Sequence, residues 1–600
     1  MATRDVTASK MIECGMAILG VDVGGTFTDA VLLADGRVHT AKVPTRERQE
    51  ESVVEAAAVV LAEAGDVDIE RFTHGTTVAT NALLERKGAR TAFVANEGFE
   101  HLLHLRRQNR AHLYRLDADH PAPLVPLERC AGVRGRIGPE GEIEPLDLAT
   151  LRDLDAEAIA VCLLFSFRDA SHERAVADEL RRRHPHAHVV ASHEVAPEFR
   201  EYERASTTVA DAYLGPVTAR YLAALGDAAR NASLPEPLVL LSSGGVATIG
   251  EAAAHPALAL VSGPAGGVVG AERIAALAGC GNAITFDMGG TSTDVCLVAD
   301  GRAEQSDGRD VGGFPIRLPM VDVHTVGAGG GSIVWRDAGG ALRVGPQSAG
   351  ADPGPACYGR GGNAATVTDA NLLLGRLPSS LPGGIELDVG AAERALGGID
   401  PESVVAVVDA EMLRALRVVS VECGYDPRDF ALVAFGGAGP LHACALADEL
   451  GSTQVLVPEA AGVLSALGLV ASDERRDHVV SIVAPLAEAG ELPRAGVASL
   501  RYRGQSFELA IPLGERLAER FHDAHAERYG YADRSREIEL VAVRTSEIVA
   551  GPVIEPRPTV GREPVAGPAL VELSGATCWV PSGWGGGFDD HGTLRLERRL

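Results

Sequence analysis

Asp22-Val23-Gly24-Gly25-Thr26-Phe27-Thr28-Asp29 recurs as Asp287-Met288-Gly289-Gly290-Thr291-Ser292-Thr293-Asp294, with six of eight positions identical at a constant offset of 265 residues. Apolar runs flank both copies: 17–21 and 30–33 around the first, 283–286 and 295–298 around the second. The pattern predicts strand, tight glycine turn, strand, on two occasions. Paired glycines let backbone N–H groups approach a polyphosphate where a side chain would obstruct it. Thr26, Thr28, Thr291 and Thr293 add hydroxyl donors. Asp22 and Asp287 close the strand ends, where a carboxylate holds Mg²⁺ or its water shell or orients an attacking water. Asp29 and Asp294 end each copy. Two such loops facing each other across a cleft would clamp a nucleotide between lobes. The plainer alternative, two hairpin turns built on Gly-Gly, leaves the joint repetition of acids and hydroxyls unexplained. GxxxxGK[ST] is absent, which excludes a P-loop, and no GxGxxG follows a strand, which disfavours a Rossmann dinucleotide site.

A third glycine cluster, Gly436-Gly437-Ala438-Gly439, follows the apolar run 430–434 and leads into an alanine-rich, helix-like stretch at 441–450. Strand, glycine turn and helix N-terminus make a flat backbone surface suited to an adenosine. Gly263-Pro264-Ala265-Gly266-Gly267 opens another helix-like segment, 268–278, whose small residues permit close packing between lobes.

Composition narrows the function classes. Across 600 residues, 82 acidic side chains outweigh 55 basic ones, giving a formal charge of −27. That argues against a general binder of nucleic acid or anionic membrane. The apolar runs 161–165 and 257–261 fall far short of the roughly 20 residues that cross a bilayer. Only Lys10, Lys42 and Lys87 are lysines, leaving few candidates for Schiff-base chemistry. The nine cysteines form no CxxC or regular framework, and Met-Ala-Thr-Arg-Asp begins no signal peptide, so a cytoplasmic, reduced setting is expected.

Ten stretches together resemble the hydantoinase/oxoprolinase A family: 20–33, 74–86, 98–114, 192–204, 262–270, 286–294, 317–332, 345–360, 421–442 and 501–505. That family includes ATP-dependent N-methylhydantoinase A subunits, the N-terminal half of 5-oxoprolinase, and subunits of acetone and acetophenone carboxylases. The resemblance implies an α/β, two-lobed actin/Hsp70/sugar-kinase-like ATPase fold with ATP bound between the lobes. On that analogy, 22–29 and 287–294 are the two phosphate loops and Gly436, Gly437 and Gly439 lie on the adenosine side. It also implies a B-type partner and an oligomer. Relative to the family, the intervals near 383–411 and 468–500 are short, so trimmed peripheral elements are expected.

Further polar groups are candidates for the acceptor side. His74-Gly75-Thr76-Thr77 ends a strand and begins a helix, where His74 either binds a substrate carbonyl or caps the local conformation. Asp322 and His324 alternate in a strand-like segment, so both face one way; they suit general-base work or an additional divalent metal, or they satisfy each other by hydrogen bonding. Gly327–331 follows them, suited to backbone bending near a ligand. Arg107, within Arg106-Arg107-Gln108-Asn109-Arg110, could hold a carboxylate or a phosphorylated intermediate; a solvated charge run is the alternative. Glu201-Tyr202-Glu203-Arg204 reads as an ion-pair network, and Cys357, in a rigid glycine-proline turn, as a packing residue rather than a nucleophile. Trp579 and Trp584 read as anchors of a small β unit.

The chain divides into a first lobe (1–215), a second lobe (216–480) and a β-rich C-terminal domain (481–600). The expected activity is ATP-dependent hydrolysis of a cyclic amide, such as a hydantoin, 5-oxoproline or related lactam, through phosphorylation of its carbonyl oxygen. An ATP-dependent ketone carboxylase subunit and a non-catalytic ATP-binding assembly subunit are the alternatives. ATP and Mg²⁺ are the expected cofactors, with Asp22 and Asp287 on the metal.

Overall fold

The computed structural model describes residues 16–599 except 66, 382–384, 559–560 and 562. Lys10, Cys14 and the N-terminal pentapeptide lie outside the described residues. The first sheet opens with an antiparallel meander, β1 (Met16–Val23), β2 (Phe27–Ala34) and β3 (Arg37–Pro44). Next to β1 runs β4 (Asp68–Thr76), parallel to it, and next to β4 the parallel strand β5 (Leu238–Leu240). The second sheet repeats this plan. β6 (Ala283–Met288), β7 (Thr293–Ala299) and β8 (Arg302–Ala303) form the meander, followed by parallel β9 (Ala431–Phe435) and β10 (Gln454–Pro458). Both sheets therefore run in the order third, second, first, fourth, fifth. Tight turns suffice for the antiparallel pairs, whereas parallel neighbours need the long crossovers that follow each meander.

The duplication extends past the glycine hairpins. Ala34-Asp35-Gly36-Arg37 and Ala299-Asp300-Gly301-Arg302 are identical, again 265 residues apart, and each forms the next turn. Asp35 and Gly36 take φ values of 50° and 75°, Asp300 and Gly301 of 51° and 74°. Such left-handed Asp-Gly pairs match the twist of a two-residue hairpin. This duplicated sheet is the actin/Hsp70/sugar-kinase-like arrangement expected from the resemblance.

Alternate residues of β1 and β2 enter different cores, as a period of two requires. Leu19, Val21 and Leu32 pack with Val53, Ala56 and Val60 of α1 (Gln49–Ala64). Ile18, Val31 and Leu33 join the core of the second sheet, with Phe286, Val433 and Leu467. Along the first lobe runs the 31-residue α2 (Glu201–Asn231). Inserted before it is a five-stranded sheet containing Thr91–Asn96, Cys130–Gly138 and Ala158–Val161.

The chain crosses from the first sheet to the second through α3 (Ser262–Leu277). It enters α4 (Gly439–Leu450) after β9 and returns through α5 (Leu464–Ala471) to the strand Glu474–Pro485 of the first sheet. The two crossover helices, α3 and α5, touch through glycine. A Cβ on Gly468 would lie 1.9 Å from the Gly266 carbonyl oxygen, and one on Gly20 of β1 would lie 2.4 Å from that of Ala466. Backbone occupies both positions, so Gly468→Ala is expected to destabilise the protein by about 1–3 kcal/mol through overpacking. Thermal melting checks this: a fall of a few degrees is expected, and an unchanged melt would contradict so close a crossing.

The C-terminal region is β-rich, and its strands continue both large sheets. Val497–Tyr502, Leu509–Pro512 and Ile538–Val549 extend the first beside Glu474–Pro485. Trp584–Phe588 and Thr593–Arg598 extend the second beside β10. Trp584 is buried, and its indole N–H donates to Asp448 of α4 at 3.2 Å, which makes it an anchor. The short interval 385–411 still holds the helices Val389–Leu396 and the start of Pro401–Val419. Among the described residues, no helix is long and apolar enough to cross a membrane.

Candidate nucleotide site between two aspartate hairpins

The two glycine hairpins are built alike. Gly24 N–H donates to the Phe27 carbonyl at 2.9 Å and Gly289 N–H to that of Ser292 at 3.0 Å, leaving Gly25-Thr26 and Gly290-Thr291 as the exposed tips. Asp22 stands opposite Asp29 across the first hairpin, and Asp287 opposite Asp294 across the second. Each inner aspartate has a glycine beside it. A Cβ on Gly75 of β4 would lie 2.4 Å from Asp22 Oδ1, and one on Gly436, just after β9, would lie 2.4 Å from Asp287 Oδ1.

The hairpins face each other closely enough for their charges to interact. Burial, with the Asp29 charge beside it, pushes the Asp22 carboxyl up to about 7. Asp287 is pushed up to about 8, chiefly by burial and then by Asp294, Asp22 and Asp29. Burial also raises Asp29 and Asp294. Lys42 of β3 offsets this charge at Asp29, Asp22 and Asp287, its Nζ 2.5 Å from Asp29 Oδ1, while Arg309 acts on Asp294. Lys42 was not singled out by the sequence reading.

A stability consequence follows from these raised values. In the unfolded chain, both aspartates ionise in the ordinary range near 3.8; in the folded chain they hold their protons to about 7 and 8. The native state therefore binds more protons across that interval, and the stabilisation, full below it, is lost as pH rises through 7 to 8. The melting temperature of nucleotide-free, magnesium-free protein is expected to fall from about pH 6 to about pH 9, with a shallower slope in the Asp22→Asn/Asp287→Asn double variant. Equal slopes in both proteins would contradict the assignment.

The threonines divide into two classes. Thr26 and Thr291 are exposed at the tips. Thr28 and Thr293 depart from the expectation of phosphate contact: both are fully buried. The Thr28 hydroxyl lies 3.0 Å from that of Thr45, and Thr293 donates to the Ala328 carbonyl at 2.6 Å. Strand alternation is the reason, since each precedes an aspartate and must point to the opposite face.

The second hairpin is braced by the glycine run after His324. Gly330 N–H donates to the Gly289 carbonyl at 3.0 Å and Gly331 N–H to that of Gly290 at 2.7 Å. A Cβ on Gly329 would lie 2.7 Å from the Thr291 nitrogen, so the run admits backbone against backbone. Gly436 adopts φ 78° and donates to the Ala461 carbonyl; Gly439 opens α4, and the intervening Gly437 has open space where a Cβ would stand.

The remaining candidates are placed as follows. His74 is fully buried in β4. Its Nδ1–H donates to the Val21 carbonyl (3.1 Å), the residue before Asp22, and its Nε2 accepts from the Tyr221 hydroxyl (2.8 Å). Burial lowers it to about 4, so the ring is neutral and both nitrogens are engaged, the position of a conformational cap. Arg107 forms a bidentate pair with Glu203 of α2, at 2.9 and 2.5 Å, in partly exposed surroundings. Arg204 of the same helix is buried, and its guanidinium donates to Ser192 Oγ and the Leu163 carbonyl. Asp322 and His324 alternate with buried Val321 and Val323 as expected, Asp322 exposed and His324 half-buried. Thr325, however, makes the contact with the hairpin: it lies opposite Asp294 and donates to it at 2.5 Å. Among the described residues, no group of three or more His, Cys, Asp or Glu side chains is placed to hold a metal, so Asp322 and His324 lack a third protein ligand of those types. Cys357 is buried, and burial pushes its thiol far above the usual range, as suits packing.

The hairpins fit a polyphosphate with Mg²⁺. Gly25 and Gly290 have ordinary φ angles, and nothing lies within 4 Å of where their Cβ atoms would be. Neither backbone conformation nor packing demands glycine there; the missing side chains leave room beside exposed amides. Mg²⁺ needs only one or two carboxylates when phosphates and waters complete its shell, and each hairpin carries one inner carboxylate, Asp22 or Asp287, of that kind.

Residues 204–478 match the hydantoinase/oxoprolinase family and residues 18–184 the hydantoinase/oxoprolinase N-terminal region. An uncharacterized protein of Methanocaldococcus jannaschii is 33% identical, with 97% of this chain and 99% of that protein covered. Caprolactamase subunit alpha of Pseudomonas jessenii is 35% identical, with 88% of this chain and 86% of that protein covered. The crystal structure of ATP-dependent caprolactamase from Pseudomonas jessenii matches with a TM-score of 0.84 at 32% identity, covering 97% of this chain and 100% of that one. With both family regions matched and relatives above 30% identity along most of their length, this chain belongs to the hydantoinase/oxoprolinase A family.

Proposed function

We propose that this chain is the A-type subunit of an enzyme that uses Mg²⁺-ATP to hydrolyse a cyclic amide. The observation that carries the reading is the pair of side-chain-free hairpin tips, Gly25 and Gly290, flanked by the half-buried carboxylates Asp22 and Asp287. Similarity to an ATP-dependent caprolactamase along nearly the whole chain supports the amide as acceptor.

ATP supplies a phosphoryl group to the amide carbonyl oxygen, converting a poor electrophile into one that water attacks. The backbone amides of Gly25 and Thr26, and of Gly290 and Thr291, take the phosphate oxygens, joined by the exposed hydroxyls of Thr26 and Thr291. Asp22 and Asp287 hold Mg²⁺ or a water in its shell, while Asp29 and Asp294 keep their hairpins paired and Lys42 balances the charge. Gly436, Gly437 and Gly439 offer the adenosine-side surface. His74 is a positioning residue that fixes the Val21 carbonyl and so the backbone of Asp22. Arg107, Asp322 and His324 belong to the acceptor side in this reading. A B-type partner completes a hetero-oligomer; of the spans 1–215, 216–480 and 481–600, the first boundary falls inside α2 and the second inside the strand Glu474–Pro485, so the sheets do not follow that division.

Phosphate release by the purified chain tests the reading. Hydantoins, 5-oxoproline and simple lactams are compared with acetone or acetophenone plus bicarbonate, with and without a B-type partner. Stimulation by a cyclic amide with ring-opened product is expected. Stimulation by ketone and bicarbonate alone would replace the amide reading with the carboxylase one.

A further inference from the structure

A cavity of ≈ 400 Å³ opens where Glu474–Pro485 passes the inserted module and the segment 317–319. Its walls include the buried apolar side chains of Leu241 and Leu318, with Leu258 and Pro319 beside them. The four carboxylates in its lining already have arginine partners. Glu194 lies 3.0 Å from Arg181 and Glu198 2.9 Å from Arg544. Glu251 lies 2.5 Å from Arg476 and Asp477 2.9 Å from Arg475.

Two lining groups lack such partners. The Arg317 side chain is half-buried, and among the described residues its guanidinium meets no acceptor; only its backbone N–H is engaged, by Thr207. Ser243 is 6% exposed, and its hydroxyl has no hydrogen bond among the described residues. Neither side chain's polar atoms are sealed from water, and both residues line the cavity where they can meet a ligand. A carboxylate answers both at once, since guanidinium pairs with it in bidentate geometry and a hydroxyl donates to it.

We infer that this cavity binds a small organic carboxylate with a short apolar body, its anionic group held by Arg317 and Ser243 and its body resting on Leu241 and Leu318. The place suits an acceptor. Leu241 directly follows β5, and β5, β4 and β1 are parallel neighbours that end at the same edge as Asp22. Two inter-strand steps separate β5 from β1, about 10 Å along the sheet. Ligands of parallel sheets gather at this carboxyl edge. The ligand is either the cyclic amide itself, carrying a carboxylate, or the amino acid released by ring opening. That choice of source rests on the proposed function; the binding does not.

Titration calorimetry on the full chain without nucleotide tests the site and keeps its failure distinct from failure of the ATP-dependent reaction. The probes are 5-oxoproline (a carboxylated ring), 4-aminobutyrate (an opened chain) and 2-pyrrolidinone (the same ring without charge). At least one carboxylate is expected to bind more tightly than 2-pyrrolidinone. Its affinity should fall about 10- to 100-fold in Arg317→Gln, the loss of a charge-assisted hydrogen-bond pair. Arg317→Lys should recover part of that affinity and Ser243→Ala lose several-fold, with melting temperature and Mg²⁺-ATP affinity unchanged. The tighter of the two carboxylates identifies the source. Carboxylates binding no better than 2-pyrrolidinone, or an affinity indifferent to both Arg317→Lys and Ser243→Ala, would overturn the inference.

Discussion

Asp287→Asn is expected to lower ATP turnover at least ~10³-fold, in the range lost when a catalytic electrostatic group is removed, and at the same time to raise the melting temperature of nucleotide-free protein at pH 8. The two effects share one cause. Asp287 is half-buried opposite Asp294 and feels Asp22 and Asp29, so its charge is costly until a cation arrives. An amide of the same shape removes the repulsion and keeps the packing against Gly436, but it cannot hold Mg²⁺ as a carboxylate does. A site that stores unfavourable charge for a ligand trades stability for function. Steady-state phosphate release and a thermal melt, each with the wild type alongside, check both halves. Retained turnover would remove Asp287 from the site, whereas a lower melting temperature would show that its carboxylate is structural.

Gly290→Val is expected to weaken Mg²⁺-ATP binding at least ~100-fold by filling the space the phosphates need, with little change in stability. The backbone at Gly290 is ordinary, and its Cβ would point into space empty to 4 Å, so the protein itself has no objection to a side chain. Gly25→Val should behave alike, because the two tips share their turn hydrogen bond and exposure. The contrast with Gly468 is instructive: there the added methyl meets backbone and the fold suffers, whereas at the tips only the ligand does. Nucleotide titration of both variants checks the prediction, and unchanged affinity would move the phosphates elsewhere.

The glycine hairpins were legible because duplication at one offset is a signal that no local propensity can mimic. The same offset also carries Ala-Asp-Gly-Arg at 34–37 and 299–302, which could have been read with it. That second turn fixes a register that brings Lys42 opposite Asp29, so the cation of the site was deducible from Asp35-Gly36. Alternation along β2 and β7 could likewise have turned Thr28 and Thr293 inward, and alternation after Val323 leaves Thr325, not His324, against Asp294. Other features depend on partners remote in sequence. Nothing local to 593–598 says that it will pair with 454–458, and nothing local to Gly20 says that Ala466 will press on it. Sheet neighbours and helix crossings are settled by the whole core, so the C-terminal strands read correctly as β structure while their distribution between two sheets did not.

The central claim, phosphorylation of an amide carbonyl at this site, is tested most directly by following oxygen. A cyclic amide labelled with ¹⁸O at its carbonyl and hydrolysed in unlabelled water with Mg²⁺-ATP should place the label in inorganic phosphate: the carbonyl oxygen becomes bonded to phosphorus, water adds to the carbonyl carbon, the ring C–N bond breaks to leave an acyl phosphate, and a second water attacking that carbon releases phosphate with the label. Label retained wholly in the ring-opened carboxylate, with unlabelled phosphate, would contradict it.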